Sequence, residues 1–439
     1  MNHDEKLALL CEQLRNIPPG QRVKVLKGSV SHFVPNPRRK APTNQVDLRA
    51  FDQLLDIDTE NLTATAEPGV SFEHLVAATL RYGLIPYTVP ELKGITVGGA
   101  VSGCSIESMS YRFGGFHDKC LEYEVVSAEG EVLSCSREQN AELFEAVHGA
   151  YGTLGILSSL RFELRPAKRY VQMDYHHFRS FDEYWDFLQD RCARGEDDFI
   201  DGIIHSPCHF TACIGTMVDR TPYISRYDWL EIYYRSTAQR ERDFLRIEDY
   251  FFRYDAECHW LTRTVPLLER KPVRFALGKF LLGSEKLISW SKRLAPLMKL
   301  KRRPEIVIDV FIPRLAFPRF FDWYKSAFDF WPLWIVPYRM PHGIYPWLRD
   351  DFAARIGEAF VIDCAIYGKV NNHPTIDLSK VLEDKVYELN GIKTLISRNH
   401  YDEETFWSIY SKERYDAAKA RLDPKGRLGG LYEKMCRVE

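Results

Sequence analysis

The sequence runs to 439 residues, 45% hydrophobic and 27% charged, and 59 Lys+Arg against 61 Asp+Glu leave a net charge of −2. That length carries two or three domains with substantial cores, and the even charge excludes a nucleic-acid binder acting through overall basicity as well as an acidic disordered chain. The 26 Phe, 23 Tyr and 9 Trp are enough to line a large apolar pocket with polar-tipped rings.

The first residues, Met1-Asn2-His3-Asp4-Glu5-Lys6, lack the basic region and apolar core of a secretory leader, and no apolar run reaches the roughly 20 residues of a membrane span. The ten cysteines show no Cys-x-x-Cys pair, so they read as reduced thiols, no metal site is expected, and the protein reads as cytoplasmic. In chain order, the pattern predicts a strand over 22–26 that ends in the loop Lys27-Gly28-Ser29-Val30-Ser31-His32. Strands over 54–58 and 62–67 follow, then an amphipathic helix over 72–82. A glycine-rich stretch, Pro90 to Gly103, precedes a hairpin predicted around Ala128-Glu129-Gly130. A third glycine cluster, 149–155, leads into a strand over 156–164.

From about residue 170 long aromatic and charged segments replace the glycines. A helix over 181–192, strands over 200–204, 210–217 and 306–312, and a helix over 405–419 suggest an α+β second domain. Residues 263–303 hold twelve basic residues against Glu269 and Glu285, threaded with large apolar side chains. That pattern suits either a membrane-surface segment or a solvated helix pair.

Three glycine loops beside strands within 160 residues favour a pyrophosphate-bearing cofactor, because glycine lets backbone amides approach an anion closely. None is a Gly-x-Gly-x-x-Gly turn or a Walker loop. Thr96-Val97-Gly98-Gly99, Tyr111-Arg112-Phe113-Gly114, Val125 to Gly130 and Gly152-Thr153-Leu154-Gly155-Ile156, in that order, resemble the FAD-binding domain of the vanillyl-alcohol oxidase / p-cresol methylhydroxylase (PCMH) superfamily. Within it the chain most resembles the delta-24-sterol reductase group. Further matching residues are Pro90-Glu91-Leu92, Gly103 with Ile106-Glu107-Ser108, Val307 to Pro313, Trp334 with Pro337, Ile362-Asp363 with Tyr367-Gly368, and Phe406-Trp407.

The resemblance implies an α+β, two-domain flavoprotein. Its FAD-binding domain would span 1–168, a cap or substrate domain 169–395, and a segment over 396–439 would return to the FAD domain. The cofactor residues it implies are Lys27, Gly28, Ser29, Val30, Ser31 and His32 in the first loop, Thr96, Val97, Gly98, Gly99, Gly103, Ser105, Ile106, Glu107 and Ser108 in the second, and Gly155 and Ile156 in the third. His32 is offset from the position where some relatives attach FAD covalently, so non-covalent FAD is expected. The activity implied is transfer of hydride from NADPH, through FAD, to a side-chain double bond of a sterol or related isoprenoid lipid.

Such an alkene needs a general acid in a dry pocket. Asp309, Tyr367 and His400 are the candidate proton donors, although Asp309 would serve equally as a structural carboxylate paired with an arginine. Arg253, Trp260 and Trp334 are candidate pocket residues, and Asp363 reads as structural or functional. Two alternatives stay open: an FAD-dependent oxidase or dehydrogenase of an alcohol or hydroxy acid, and a non-catalytic lipid-binding protein of the membrane surface. Peripheral membrane contact through 263–303 is expected, and nucleic-acid binding is not.

Overall fold

The computed structural model describes residues 1–18, 20–28, 44–259, 261–264, 268–284, 286–287, 289–290, 305–343, 345 and 347–436. An N-terminal helix, His3–Asn16, starts at a capping box in which Asn2 and Glu5 satisfy each other's backbone amides. Behind it stands a parallel two-stranded pair, Val23–Leu26 with Asn44–Asp47. A six-stranded sheet follows, in the order Leu54–Asp58, Thr63–Ala66, Ile156–Pro166, Cys120–Val126, Val132–Ser136, with Leu84–Pro86 also paired to Ile156–Pro166. The predicted hairpin forms, Val126 opposite Val132. The helix expected over 72–82 is α-helical only over Phe72–Thr79 and tightens into one 3-10 turn before Gly83, whose φ of 68° ends it.

Strand Ile156–Pro166 runs almost directly into Tyr170–Phe178, which belongs to a different, eight-stranded antiparallel sheet. Its order is Arg242–Arg246, Tyr170–Phe178, His209–Val218, Phe199–Ser206, Leu333–Arg339, Phe360–Lys369, Ile306–Pro313, Ile392–Lys393. Side chains alternate across a strand, so this sheet has two distinct faces. Ile308, Val310, Ile312, Ile335, Ile362, Cys364 and Ile366 point to an outer core, packed with residues of the helices Phe181–Arg194, Phe317–Trp323 and Leu378–Glu388. Trp334, Val336 and Ala365, on the opposite face, join the core of the first sheet. This face of the second sheet thus looks back at the first.

The helix expected over 405–419 is broken into Glu403–Ile409 and Lys412–Leu422. At the break Tyr410 makes a bridge to Leu348, the Ser411 amide donates to the Trp347 carbonyl, and the Ser411 hydroxyl caps the second helix. Tertiary pairing of the backbone wins over helical continuity there. Among the described residues no helix is long and apolar enough to cross a membrane. Of the basic segment, the turn Leu261–Thr264 and the helix Lys271–Leu281 are described, and 291–303 lies outside the described residues. Arg274 departs from the surface reading. It is buried, donates to the Trp229 carbonyl at 2.6 Å and stands 3.7 Å from Glu257.

Candidate active site

A cavity of about 810 Å³ lies where the three glycine loops converge. Lys27 and Gly28 line it from the first loop, Thr96, Gly98 and Gly99 from the second, and Gly155 and Ile156 from the third. The helix Val97–Gly103 begins at this wall, and the Thr96 hydroxyl accepts from the Gly99 amide at 3.3 Å. Replacing Thr96 by alanine should cost about 0.5–2 kcal/mol in denaturant titration, the ordinary loss of a helix cap, and lower flavin occupancy with it. Gly98 has no room for a side chain, since a Cβ there would meet the Pro68 Cβ at 2.5 Å. Only glycine lets the two walls close to this distance.

Four cations, Lys24, Lys27, Arg49 and Lys434, line the same space and suit a pyrophosphate. The size, the glycine walls and these cations fit FAD. Lys434 comes from the far end of the sequence and donates to the Tyr151 carbonyl. Nearby, Arg427 donates to the carbonyls of Leu14, Ile17 and Ala128, and its neighbour Leu428 joins Lys434 in lining the cavity. Sequence reasoning missed Lys24, Arg49 and Lys434 because their places depend on long-range packing.

The other expected cofactor residues divide. Val97 is buried behind the wall, and Gly103 lines a second, small apolar cavity with Cys104, Tyr151, Phe311, Tyr338 and Leu395. Ser105 is tied by backbone hydrogen bonds to Ala100 and Phe116, and Ile106 packs between two hydrophobic clusters. Glu107 and Ser108 are not brought to the main cavity. Both are buried in a polar cluster between the two sheets, where Ser108 meets the Tyr250 hydroxyl at 2.8 Å. Ser29, Val30, Ser31, His32 and Trp260 lie outside the described residues.

Arg253 stands at the centre of that cluster, fully buried. Its Nη2 is 2.7 Å from Glu107 and 3.2 Å from Asp201, and the Trp334 indole donates to Asp201 at 2.6 Å. Tyr250, Tyr254 and Tyr233 surround the guanidinium. Burial pushes the Glu107 carboxyl up to about 7 even against the pull of Arg253. Arg253 and Trp334 thus hold the cap sheet to the cofactor domain.

Next to it the cap face carries chemistry. Along Ile306–Pro313, Val307, Asp309 and Phe311 keep some exposure while Ile306, Ile308, Val310 and Ile312 are buried, so this face borders open space. The Tyr367 hydroxyl donates to Asp309 Oδ1. The arginine partner considered from the sequence is therefore not the one found. Burial pushes the Asp309 carboxyl up to about 7, opposed by the Tyr367 hydrogen bond and reinforced by the charge of Glu91.

Two residues to which the sequence assigned no role complete the group. His259 stacks on Tyr254, with centroids 4.3 Å apart, and lies 4.5 Å from Trp334 and 5.0 Å from Tyr367. Glu91, from the loop before the cofactor helix, approaches its Nε2 to 3.4 Å. Burial alone would raise the Glu91 carboxyl, but the His259 partner outweighs it and holds Glu91 below its ordinary value. Cys258 and His259 are consecutive non-glycine residues with φ of 46° and 54°. Left-handed backbone of this kind costs energy and concentrates at functional sites.

His400 does not reach this group. It meets Ser379 at 2.7 Å, and its amide donates to Glu383, both on the helix Leu378–Glu388 behind the sheet.

Comparison with known proteins agrees with this geometry. Residues 22–136 match the FAD binding domain family. The delta(24)-sterol reductase of Rattus norvegicus is 23% identical over 402 residues, covering 88% of this chain and 76% of the relative. That of Arabidopsis thaliana is 23% identical over 433 residues, covering 90% and 77%. Cytokinin dehydrogenase 9 of Oryza sativa subsp. japonica is 32% identical over 142 residues, covering 32% and 27%. The two-sheet α+β architecture is the PCMH-type arrangement expected from the sequence, and the chain is an FAD-dependent oxidoreductase.

Proposed function

We propose that the protein reduces an isolated carbon–carbon double bond in a sterol or related isoprenoid lipid, with NADPH as the electron donor and FAD held non-covalently. The observation that carries this reading is the Asp309–Tyr367 pair on the half-exposed cap face opposite the cofactor domain, framed by Trp334 and Phe311. The distant relation to sterol reductases supports the substrate class. The domain assignment proposed with it is cofactor binding by 1–168, substrate binding by 169–395, and closure by 396–439.

In this reading the three glycine loops and the four cations hold the diphosphate, and bound FAD supplies hydride chemistry. Tyr367 and Asp309 hold protons at the cap face. Apolar and aromatic walls keep water from the alkene carbon that becomes electron-poor as it is protonated. A trisubstituted alkene is a poor hydride acceptor until that proton arrives, so the acid side of the chamber decides the rate.

The test is anaerobic. Mixing FAD-loaded protein with NADPH should bleach the flavin absorbance, and adding desmosterol should restore it with a gain of two hydrogens by mass spectrometry. Bleaching by an alcohol or hydroxy acid but not by NADPH would replace this function with that of an oxidase or dehydrogenase.

We propose, further, contact with an anionic lipid surface through the helix Lys271–Leu281, on which Lys271 and Phe275 face outward, Phe275 at 78% exposure. Phe275→Glu should leave the melting temperature within about a degree, as surface changes do, and lower co-sedimentation with phosphatidylserine vesicles. Equal co-sedimentation of variant and wild type would sink this contact.

A further inference from the structure

Three carboxyl groups, Glu91, Asp309 and Asp363, influence one another across the gap between the cofactor domain and the cap sheet. They are not equivalent. Glu91 is committed to His259, and its charge is kept. Asp309 accepts the Tyr367 hydroxyl, so its Oδ1 acts as an acceptor.

Asp363 is different in kind. It lies on the same sheet face as Tyr367 and Ala365, opposite Phe311 in one neighbouring strand and Val336 in the other. Asp309 pairs with Ala365, which makes Asp309 and Asp363 diagonal neighbours across two strands, about 7–8 Å apart in backbone. Asp363 is only 3% exposed, and among the described residues its Oδ1 has no hydrogen-bond partner. On its own face it is flanked by Phe311 and Val361, which line the small apolar cavity that Gly103 and Cys104 open from the cofactor side.

A buried carboxylate with an orphan oxygen would cost several kcal/mol, whereas the neutral acid needs no counter-charge. Burial first, and then the charges of Asp309 and Glu91, push this carboxyl well above its ordinary value. Of the three groups, Asp363 alone combines a carboxyl pushed well above its ordinary value with no side-chain partner among the described residues, and the Cys364 amide is the one hydrogen bond that opposes the shift.

We propose that Asp363 is the catalytic acid that delivers the proton to the double bond, an inference that rests on the alkene-reductase reading above. The balance is simple. The carbon–carbon π bond is lost and two C–H bonds form, one from a hydride that originates in a reduced nicotinamide and one from the Asp363 carboxyl. NADPH becomes NADP+, and Asp363 is left as a carboxylate that regains a proton from solvent. In this scheme Asp309 acts on Asp363 through its charge, which favours the neutral acid, and Asp363 is the group that meets the reacting carbon.

The test uses the full-length, FAD-loaded protein and two readouts. The first is the infrared carbonyl stretch of a protonated carboxylic acid, shifted by exchange into D2O, which needs no substrate. Wild type and Asp309→Asn should show a band that Asp363→Asn lacks. Persistence of that band in Asp363→Asn overturns the proposal.

The second readout separates the two half-reactions. In Asp363→Asn the sterol step should fall by about 10²–10⁴-fold, the usual share of a positioned acid, and at least 100-fold more than the NADPH step. Asp363→Glu should recover part of it. A sterol step within threefold of wild type in Asp363→Asn, with flavin content and melting unchanged, also overturns the proposal. If wild type itself reduces no sterol, the function proposed above fails, and the infrared band still decides whether Asp363 is the protonated acid.

Discussion

Replacing Arg253 by methionine should destabilise the protein by about 3–5 kcal/mol, the usual cost of removing one partner from a buried ion pair. The guanidinium is fully buried and serves two carboxylates, Glu107 from the cofactor domain and Asp201 from the cap sheet. Methionine fills much of the volume among Tyr250, Tyr254 and Tyr233 but neutralises neither acid. Arg253→Lys should fall between the two, because an ammonium keeps the charge without the planar fork. Equilibrium denaturation by two probes, one for each sheet, measures the loss.

The pH dependence has a definite sign. With arginine present the Glu107 carboxyl already sits at about 7, above its value in the unfolded chain, and removing the cation raises it further. A carboxyl whose folded value is raised binds its proton more tightly in the native state. Stability therefore declines as pH rises from the unfolded value towards the folded one. The deficit of Arg253→Met should be smallest near pH 5 and grow through pH 7. A deficit that shrinks with rising pH would mean that Glu107 and Asp201 are not the groups left uncompensated.

Gly98→Val should give a colourless protein. Its Cβ would sit 2.5 Å from the Pro68 Cβ and 3.0 Å from the Pro68 carbonyl, so the loop or the helix Val97–Gly103 must move, and both are walls of the cofactor cavity. Overpacking of this kind costs about 1–3 kcal/mol, and here the displaced atoms are those that would meet the diphosphate. The ratio of flavin to protein absorbance after purification reads the loss directly. Gly152→Ala is the contrast. It also lines the cavity and has φ of 69°, but a Cβ there meets nothing within 4 Å. It should cost about 1 kcal/mol of backbone strain and keep most of the flavin.

The cofactor side was legible in the sequence because glycine at a close approach leaves a local mark. Gly28, Gly98, Gly99 and Gly155 all reach one cavity, and the strand–loop punctuation around them is short-range. The cap chemistry was legible only in part. Asp309 stood out as an acid inside an apolar alternating run, but its partner, Tyr367, comes from another strand, and the pairing follows from register. Asp363 was ambiguous for the same reason. Its neighbours Phe311 and Val336 are far away in sequence, so nothing local separates a protonated acid from a structural one. His259 was invisible, since it sits in irregular backbone at positive φ, outside any periodicity. His400 was a candidate proton donor by residue type alone, and such a signal cannot tell one side of a sheet from the other. The N-terminal helix carries a local signature of its own, Asn2 three residues before Glu5.

The contact of Lys419 with the Thr153 carbonyl, together with those of Arg427 and Lys434, also sets an order in time. Chains emerge from the ribosome N-terminal end first, and their units fold as they become complete. The carbonyls of Leu14, Ile17, Ala128 and Thr153 are made early, but the side chains that satisfy them arrive after the whole eight-stranded sheet has been synthesised. These contacts on the N-terminal part therefore form only after the cap strands have been synthesised. A chain ending before residue 419 lacks these contacts and is expected to lose flavin during purification, which the ratio of flavin to protein absorbance measures.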